Sequence, residues 1–242
     1  GKRAIEHIID ALLPLKPEIF LIVHGPRFHE KEKAFFLKTY PQENFQFFLQ
    51  DKALGTGHAV FCAKDGVSYS DDILVIYCDT LFAKDLTCIR ALQEYDGVVF
   101  AQRVSDPENY GVLEHENFIL QEIVEKPENP SSNLVNIGMF YLRNGYAFFQ
   151  TYLQEVMDRG VNVKGEYYLT DAFALMAKDG KRVWIEAVDK RYDIGTLQKL
   201  LDTQAALLEG RQVLGENVVL ENTNIGENVS IGNRSKLVNC SV

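Results

Sequence analysis

The 242-residue sequence has little that would tie it to a membrane, a metal cluster or a nucleic acid. Its longest apolar runs, such as residues 19–23 and 73–77, fall far short of the roughly 20 residues that a spanning helix needs. No basic start followed by an apolar core marks a secretory leader. Cysteine is scarce: Cys62, Cys78, Cys88 and Cys240 stand apart, with no Cys-x-x-Cys pair. That spacing argues against a structural zinc site and a disulfide framework, and it fits a reducing, cytoplasmic compartment. Clustered positive charge is missing too. With 25 Lys and Arg against 34 Asp and Glu, for a formal net charge of −9, no basic face is offered to a nucleic-acid backbone. A small phosphorylated ligand needs only a few local cations and is still accommodated.

What is present is an alternation of patterns. Ile5, Ile8, Ile9, Leu12 and Leu13 recur at helical spacing until Pro14 and Pro17 close the helix. Apolar strand-like runs follow at residues 19–23, 45–49, 73–77 and 98–103, with helical segments near 29–39, 57–64 and 86–95 between them. Strands that read as continuous apolar runs, separated by amphipathic helices, predict an α/β domain with a doubly wound, mostly parallel sheet. A hairpin (residues 111–113 and 118–125), a strand (135–142), two helices, a strand (182–188) and a helix (197–208) complete it. After Gly210 the chain turns rich in Asn and Gly, and Val219, Ile225, Ile231 and Leu237 fall six apart. That hexapeptide period predicts a β-helix whose short strands point those aliphatics inward. Two parts are therefore expected: a main domain over residues 1–209 and a short hexapeptide-repeat segment over 210–242.

In an open parallel sheet, ligands bind beyond the carboxyl ends of the strands. Three such ends carry candidate chemistry. Gln50 and then Gly55-Thr56-Gly57 follow the second run, at a helix start whose free N–H groups attract an anion or a polar base edge. Asp79 follows the third, and Asp193 stands in "RYDIGT" before the last helix; two strand-end carboxylates suit a magnesium ion shared with phosphates. Each also has a plainer reading: the glycines as a tight turn, Asp79 and Asp193 as caps, and His58 as a capping or solvated residue. Gly55-x-Gly57 with Asp79 imitates a dinucleotide fingerprint. However, residues 50–54 intervene after the strand and Val60 occupies the third small-residue position.

Several segments together resemble the sugar-1-phosphate nucleotidyltransferases, some of which carry a left-handed β-helix after the catalytic domain. "LQDKALGTGHAV" resembles the base-reading segment of the bacterial N-acetylglucosamine-1-phosphate uridyltransferases, and "YCDT" the strand end whose aspartate holds magnesium. "NYGVL", "IVEKP" and "VNIGMFYL" resemble the sugar-contacting segments, "GEYYLTDAFALMA" the segment closing the sugar side, and "RYDIGT" the second metal-carrying turn. The resemblance implies nucleotide contacts at Gln50, Gly55, Thr56, Tyr77 and Cys78, the last standing where the family has glycine. It implies sugar contacts at Gly111, Glu125, Asn136, Glu166 and Thr170, with magnesium at Asp79 and Asp193 and a phosphate contact at Lys126. The family's Gly-rich signature loop belongs upstream of the segment that residues 1–8 resemble, outside this sequence.

The implied reaction is magnesium-dependent attack by a sugar 1-phosphate on the α-phosphorus of a nucleoside triphosphate, releasing pyrophosphate. Two anions must meet, so positioning and charge neutralisation carry the catalysis. "LGTGHA" leans towards uridylyl transfer and "YDIGT" towards hexose-1-phosphate thymidylyl- and guanylyl-type enzymes, so UTP or dTTP with a glucose- or N-acetylglucosamine-type sugar phosphate is expected. Two other classes stay open: a catalytically silent nucleotide-sugar binder, and an assembly module in which the hexapeptide segment builds a homo-oligomer.

Overall fold

The computed structural model describes residues 2–162 and 164–242; Gly1, where the resemblance begins, lies outside them. In chain order the helices are α1 (Ala4–Leu12), α2 (Glu30–Thr39), α3 (Thr56–Cys62), α4 (Gly145–Phe148), α5 (Gln154–Arg159), α6 (Leu169–Lys178) and α7 (Leu197–Leu208). The strands of the main part are β1 (Phe20–His24), β2 (Phe45–Leu49), β3 (Ile73–Ile76), β4 (Thr80–Ala83), β5 (Gly97–Arg103), β6 (Gly111–Glu116), β7 (Ile119–Glu125), β8 (Leu134–Leu142), β9 (Val183–Ala187) and β10 (Lys190–Asp193). Four short strands follow in the tail, β11 (Gln212–Leu214), β12 (Val219–Glu221), β13 (Val229–Ile231) and β14 (Lys236–Val238). Among the described residues no helix is long and apolar enough to cross a membrane. The chain groups into two compact units: Leu12–Tyr77 with Lys84–Asp189, and Gly1–Ala11 with Cys78–Ala83 and Lys190–Val242.

In the larger unit, β1 and β2 form a parallel pair, and six strands form a second sheet in the order β3-β8-β5-β9-β7-β6. This sheet is mixed, not mostly parallel. Of its neighbouring strands β5 and β9 run parallel, while β8 runs antiparallel to both β3 and β5 and β6 antiparallel to β7. A continuous apolar run records that both faces of a strand are covered; it carries no information on direction. β8 shows this most clearly, being buried at all nine positions. The core lies over this sheet. On α6, Leu169, Ala172, Phe173 and Met176 recur at helical spacing and are all buried, and the Phe173 ring packs 4.8 Å from Phe140 and 5.4 Å from Phe148. Burying one such ring stabilises the fold by about 2–3 kcal/mol.

β8 also carries an irregularity that matters for function. Val99 faces Phe140 and Ala101 faces Asn136, so one residue of β5 opposes three of β8. Gly138 sits in this bulge at φ 76°, where a Cβ would lie 2.4 Å from the Tyr77 ring. A bulge re-aims the side chains beside it, and Asn136 is one of them.

In the smaller unit, β4 and β10 pair antiparallel, with Asp193 opposite Thr80. Neither strand is evident from the sequence, because "TLFA" and "KRYD" are too short and too mixed to show a pattern. The tail winds in parallel pairs. Gln212 lies opposite Val229, Val219 opposite Lys236 and Asn224 opposite Ser241, each pair 17 apart in sequence. The corners fall at Asn217, Asn222, Asn228, Arg234 and Asn239, all at φ between 45° and 59°. Asn is among the few residues that tolerate that conformation, which accounts for the Asn-rich composition. Because successive corners lie five, six, six and five residues apart, the strict six-residue reading slips: Leu237 pairs with Leu220, and Val219 is exposed rather than inward.

Candidate functional site

The strongest convergence lies at one end of the mixed sheet. Gly111 opens β6 directly opposite Glu125, the last residue of β7. Asn136, re-aimed by the bulge, donates from Nδ2 to the Gly111 carbonyl at 3.2 Å and accepts at Oδ1 from the Gly138 N–H at 3.1 Å. Thr170, in the first turn of α6, donates its hydroxyl to Glu125 Oε1 at 3.0 Å. Gly111 has to be glycine here: a Cβ would lie 2.2 Å from Asn136 Nδ2 and 2.9 Å from Glu125 Oε1. Four residues separated by up to 59 positions are thus gathered around one backbone. Burial pushes the Glu125 carboxyl above its ordinary value, and the Thr170 hydrogen bond and the Lys126 charge only partly offset this. Lys126 follows at φ 49°, its N–H bound to the Tyr110 carbonyl. Asp171, beside Thr170, is also pushed up by burial and adds negative charge near Glu125; nothing in its sequence surroundings marks it.

The Gly-Thr-Gly segment has a structural reason that the sequence conceals. A Cβ on Gly55 (φ 97°) would lie 2.5 Å from the Tyr167 carbonyl oxygen, and one on Gly57 would lie 3.0 Å from Tyr168. The bare backbone admits the chain's own 166–168 segment. Gly57 N–H donates to the Tyr167 carbonyl, Tyr167 N–H donates to the Leu54 carbonyl, and the Thr56 hydroxyl accepts from Leu169 N–H. Glu166 belongs to this junction: its backbone N–H donates to Asn162 Oδ1 and its Cβ sits against Gly55. His58 is neither a cap nor simply solvated. Its Nδ1 lies 3.1 Å from Gln50 Nε2, which also donates to the Gly55 carbonyl at 3.0 Å. Tyr77 packs its ring on Gly138 and Phe140, and Cys78 is exposed in the turn that follows.

The two aspartates occupy one ladder of the smaller unit. The Asp79 carbonyl accepts from Ile194 N–H at 3.1 Å, immediately beyond the Asp193–Thr80 pair. Neither serves as the cap that the plainer reading offered: Thr196 caps α7 and Asp85 caps the turn at Leu86. Asp79 has a long contact from the Thr80 hydroxyl, 3.4 Å. Asp193 is fully engaged, with Oδ2 facing Lys199 at 2.7 Å and Arg191 at 3.2 Å and Oδ1 accepting from Gly195 N–H at 2.8 Å. These partners outweigh burial and hold its carboxyl below the usual range. Arg191 could have been found from sequence had β10 been recognised, since residues two apart share a strand face. Among the described residues no group of three or more His, Cys, Asp and Glu is set to hold a metal ion. Carboxylate oxygens are the donors magnesium prefers, so the pair fits such an ion in kind, while Asp193 is already matched by Lys199 and Arg191.

A mixed α/β sheet thus carries a Gly-Glu-Asn-Thr cluster at its rim and a glycine loop locked to the 166–168 segment. Residues 1–210 match the family model described as nucleotidyl transferase, and the chain belongs to that family. It is 34% identical over 229 residues to the bifunctional protein GlmU of Methanocaldococcus jannaschii, covering 91% of this chain and 52% of that protein. It is 34% identical over 183 residues to a bifunctional sugar-1-phosphate nucleotidylyltransferase/acetyltransferase of Sulfurisphaera tokodaii, covering 75% of this chain and 42% of that one. The chain thus spans about half the length of the curated relatives it matches. A crystal structure of apo-UDP-glucose pyrophosphorylase shares the fold, with a TM-score of 0.71 at 22% identity over 86% of this chain and 88% of that one.

Proposed function

We propose that the protein transfers a nucleotidyl group from UTP or dTTP to a sugar 1-phosphate of the glucose or N-acetylglucosamine class, releasing pyrophosphate. The observation that carries this reading is the convergence of Gly111, Glu125, Asn136 and Thr170. A partly buried Glu125 and a buried Asn136 offer directed hydrogen bonds to sugar hydroxyls, in a setting where such bonds are stronger than in water. Lys126, next to them in sequence, supplies positive charge for a phosphate. Gln50 and the start of α3 supply polar contacts for a base. These residues orient the sugar phosphate and the triphosphate, and orientation is the larger part of catalysing phosphoryl chemistry. Asp79 and Asp193 would hold magnesium, which when bound supplies neutralisation of phosphate charge. The tail, wound in 17-residue turns, is read as the start of a left-handed β-helix and a surface through which copies of the protein associate.

One observation favours a second reading. An Asp193 already neutralised by Lys199 and Arg191 suits a nucleotide-sugar binder without turnover. Pyrophosphate release from UTP or dTTP and a sugar 1-phosphate, with magnesium, separates the two. Turnover is expected from the native protein, and Asp79→Asn should lower it by about 100-fold or more, since a metal's contribution is worth several kcal/mol. An unaltered melting temperature in that variant would show that the fold is intact. Equal activity in Asp79→Asn would remove the metal assignment; binding of nucleotide without turnover would leave the silent reading standing.

A further inference from the structure

The geometry points to His58 as a positioning residue that fixes the Gln50 amide so that an acceptor, and not a donor, meets the base. This rests on the base-reading role proposed for Gln50. The amide nitrogen carries two hydrogens, and both have partners: Gly55 O at 3.0 Å and His58 Nδ1 at 3.1 Å. Oε1 is left as the polar atom of this side chain without a donor among the described residues. For Nδ1 to accept, the imidazole must be neutral with its proton on Nε2. Cys62 Sγ lies 3.9 Å from the same Nδ1. Burial pushes that thiol up, so it stays S–H, a weak donor that adds no competing charge.

The imidazole is itself held in place. It stacks on the Tyr167 ring with centroids 6.2 Å apart and planes 26° from parallel, and Tyr167 is tied by its backbone to Leu54 and Gly57 on either side of Gly55. The glycines that admit segment 166–168 therefore also seat the ring that orients Gln50. An isolated glutamine can turn its amide over and offer either end; this one is committed. A lone acceptor pairs with a ring N–H, as in the imide of uracil or thymine. It meets cytosine, whose N3 is itself an acceptor, with lone pair against lone pair. His58 thereby selects the imide bases without touching them.

The test compares affinities for UTP and CTP, which differ only at this edge of the base, by calorimetry on the native protein and on His58→Phe, His58→Asn and Gln50→Ala. The native protein should prefer UTP. His58→Phe keeps a ring against Tyr167 but removes the acceptor, freeing the amide to turn, and should cut the UTP-over-CTP ratio by about tenfold or more, the worth of a committed hydrogen bond. His58→Asn returns an acceptor near the Nδ1 position and should restore the ratio to within about threefold. Loss of preference in Gln50→Ala but not in His58→Phe overturns the inference while sparing the base-reading role; an unchanged preference in Gln50→Ala overturns that role itself. Equal binding of UTP and CTP by the native protein overturns the inference, and absence of nucleotide binding overturns both. Should His58→Phe not fold, ¹⁵N NMR of the native imidazole decides: a proton on Nε2 is expected, and a proton on Nδ1 overturns the inference.

Discussion

Glu125 and Asp193 are both acids at the last position of a strand, β7 and β10, and their surroundings push them in opposite directions. Glu125 is met by the Thr170 hydroxyl, opposite a Gly111 whose carbonyl Asn136 binds, and burial raises its carboxyl. Asp193 is met by a lysine, an arginine and a backbone N–H, which lower it. The first arrangement leaves a carboxyl with hydrogen-bonding capacity to spend on a neutral polyol. The second leaves a carboxylate whose charge is already matched, and which meets a dication only by exchanging one cation for another. Position at a strand end thus nominates an acid for function, while its neighbours decide what it can do.

The sharpest way to break this contrast is Gly111→Ala. The new Cβ would overlap Asn136 Nδ2 and Glu125 Oε1, driving apart the groups whose convergence defines the first environment. A destabilisation of about 1–3 kcal/mol is expected from overpacking. A loss of roughly 100-fold in kcat/KM for sugar 1-phosphate is expected as well, because displacement of positioning groups by about an ångström costs that much. Denaturant melts and pyrophosphate-release kinetics measure the two. Full activity in a folded Gly111→Ala protein would mean that the cluster is packing and nothing more.

Much of this was legible in the sequence. Apolar runs located β2 and β8 almost to the residue and the final helix fully, because an unbroken apolar stretch and a 3.6-residue stripe leave strong patterns, whether the strand is buried throughout, as β8 is, or partly exposed, as β2 is. Strand direction left no such trace, so the antiparallel insertion of β8 was missed. β4 and β10 were too short to register, and with them went the view of Arg191 beside Asp193. Gly55 and Gly57 could be recognised as positions needing bare backbone. That the need came from Tyr167, more than 100 residues away, is a tertiary fact with no local sequence cost to betray it. The same holds for His58, whose partner Gln50 is reached only because the loop folds back. In the tail, corners five, six, six and five residues apart blurred the six-residue period, and the left-handed conformation at Asn217, Asn222, Asn228 and Asn239 showed only as an Asn-rich composition.

A smaller effect sharpens the contrast through pH. Glu125 has a raised folded value, so its contribution to stability is complete at acidic pH and is lost as pH rises through that value; Glu125→Gln should gain on the native protein as pH climbs above about 4.3, the unfolded value. Asp193 has a lowered folded value, so its contribution is present above about 3.9 and is lost as pH falls through the folded value; Asp193→Asn should lose most against the native protein near neutrality and converge with it in acid. Urea unfolding across that pH range should give difference curves of opposite slope. Parallel curves would refute the assigned environments.

The smallest expected change is the most informative about magnesium. Lys199 is 46% exposed in its side chain, so Lys199→Met should alter stability by less than about 1 kcal/mol, as for other exposed ion pairs. If the lysine and a dication compete for Asp193 Oδ2, removing it takes one of two cations from that oxygen, Arg191 remaining at 3.2 Å. Affinity for magnesium alone, measured by calorimetry, should then rise by roughly two- to fivefold, the reciprocal of what the exposed pair is worth. A weaker or unchanged affinity would mean that Lys199 does not stand in for the metal, and that Asp193 serves to anchor the first turn of α7 to the strand before it.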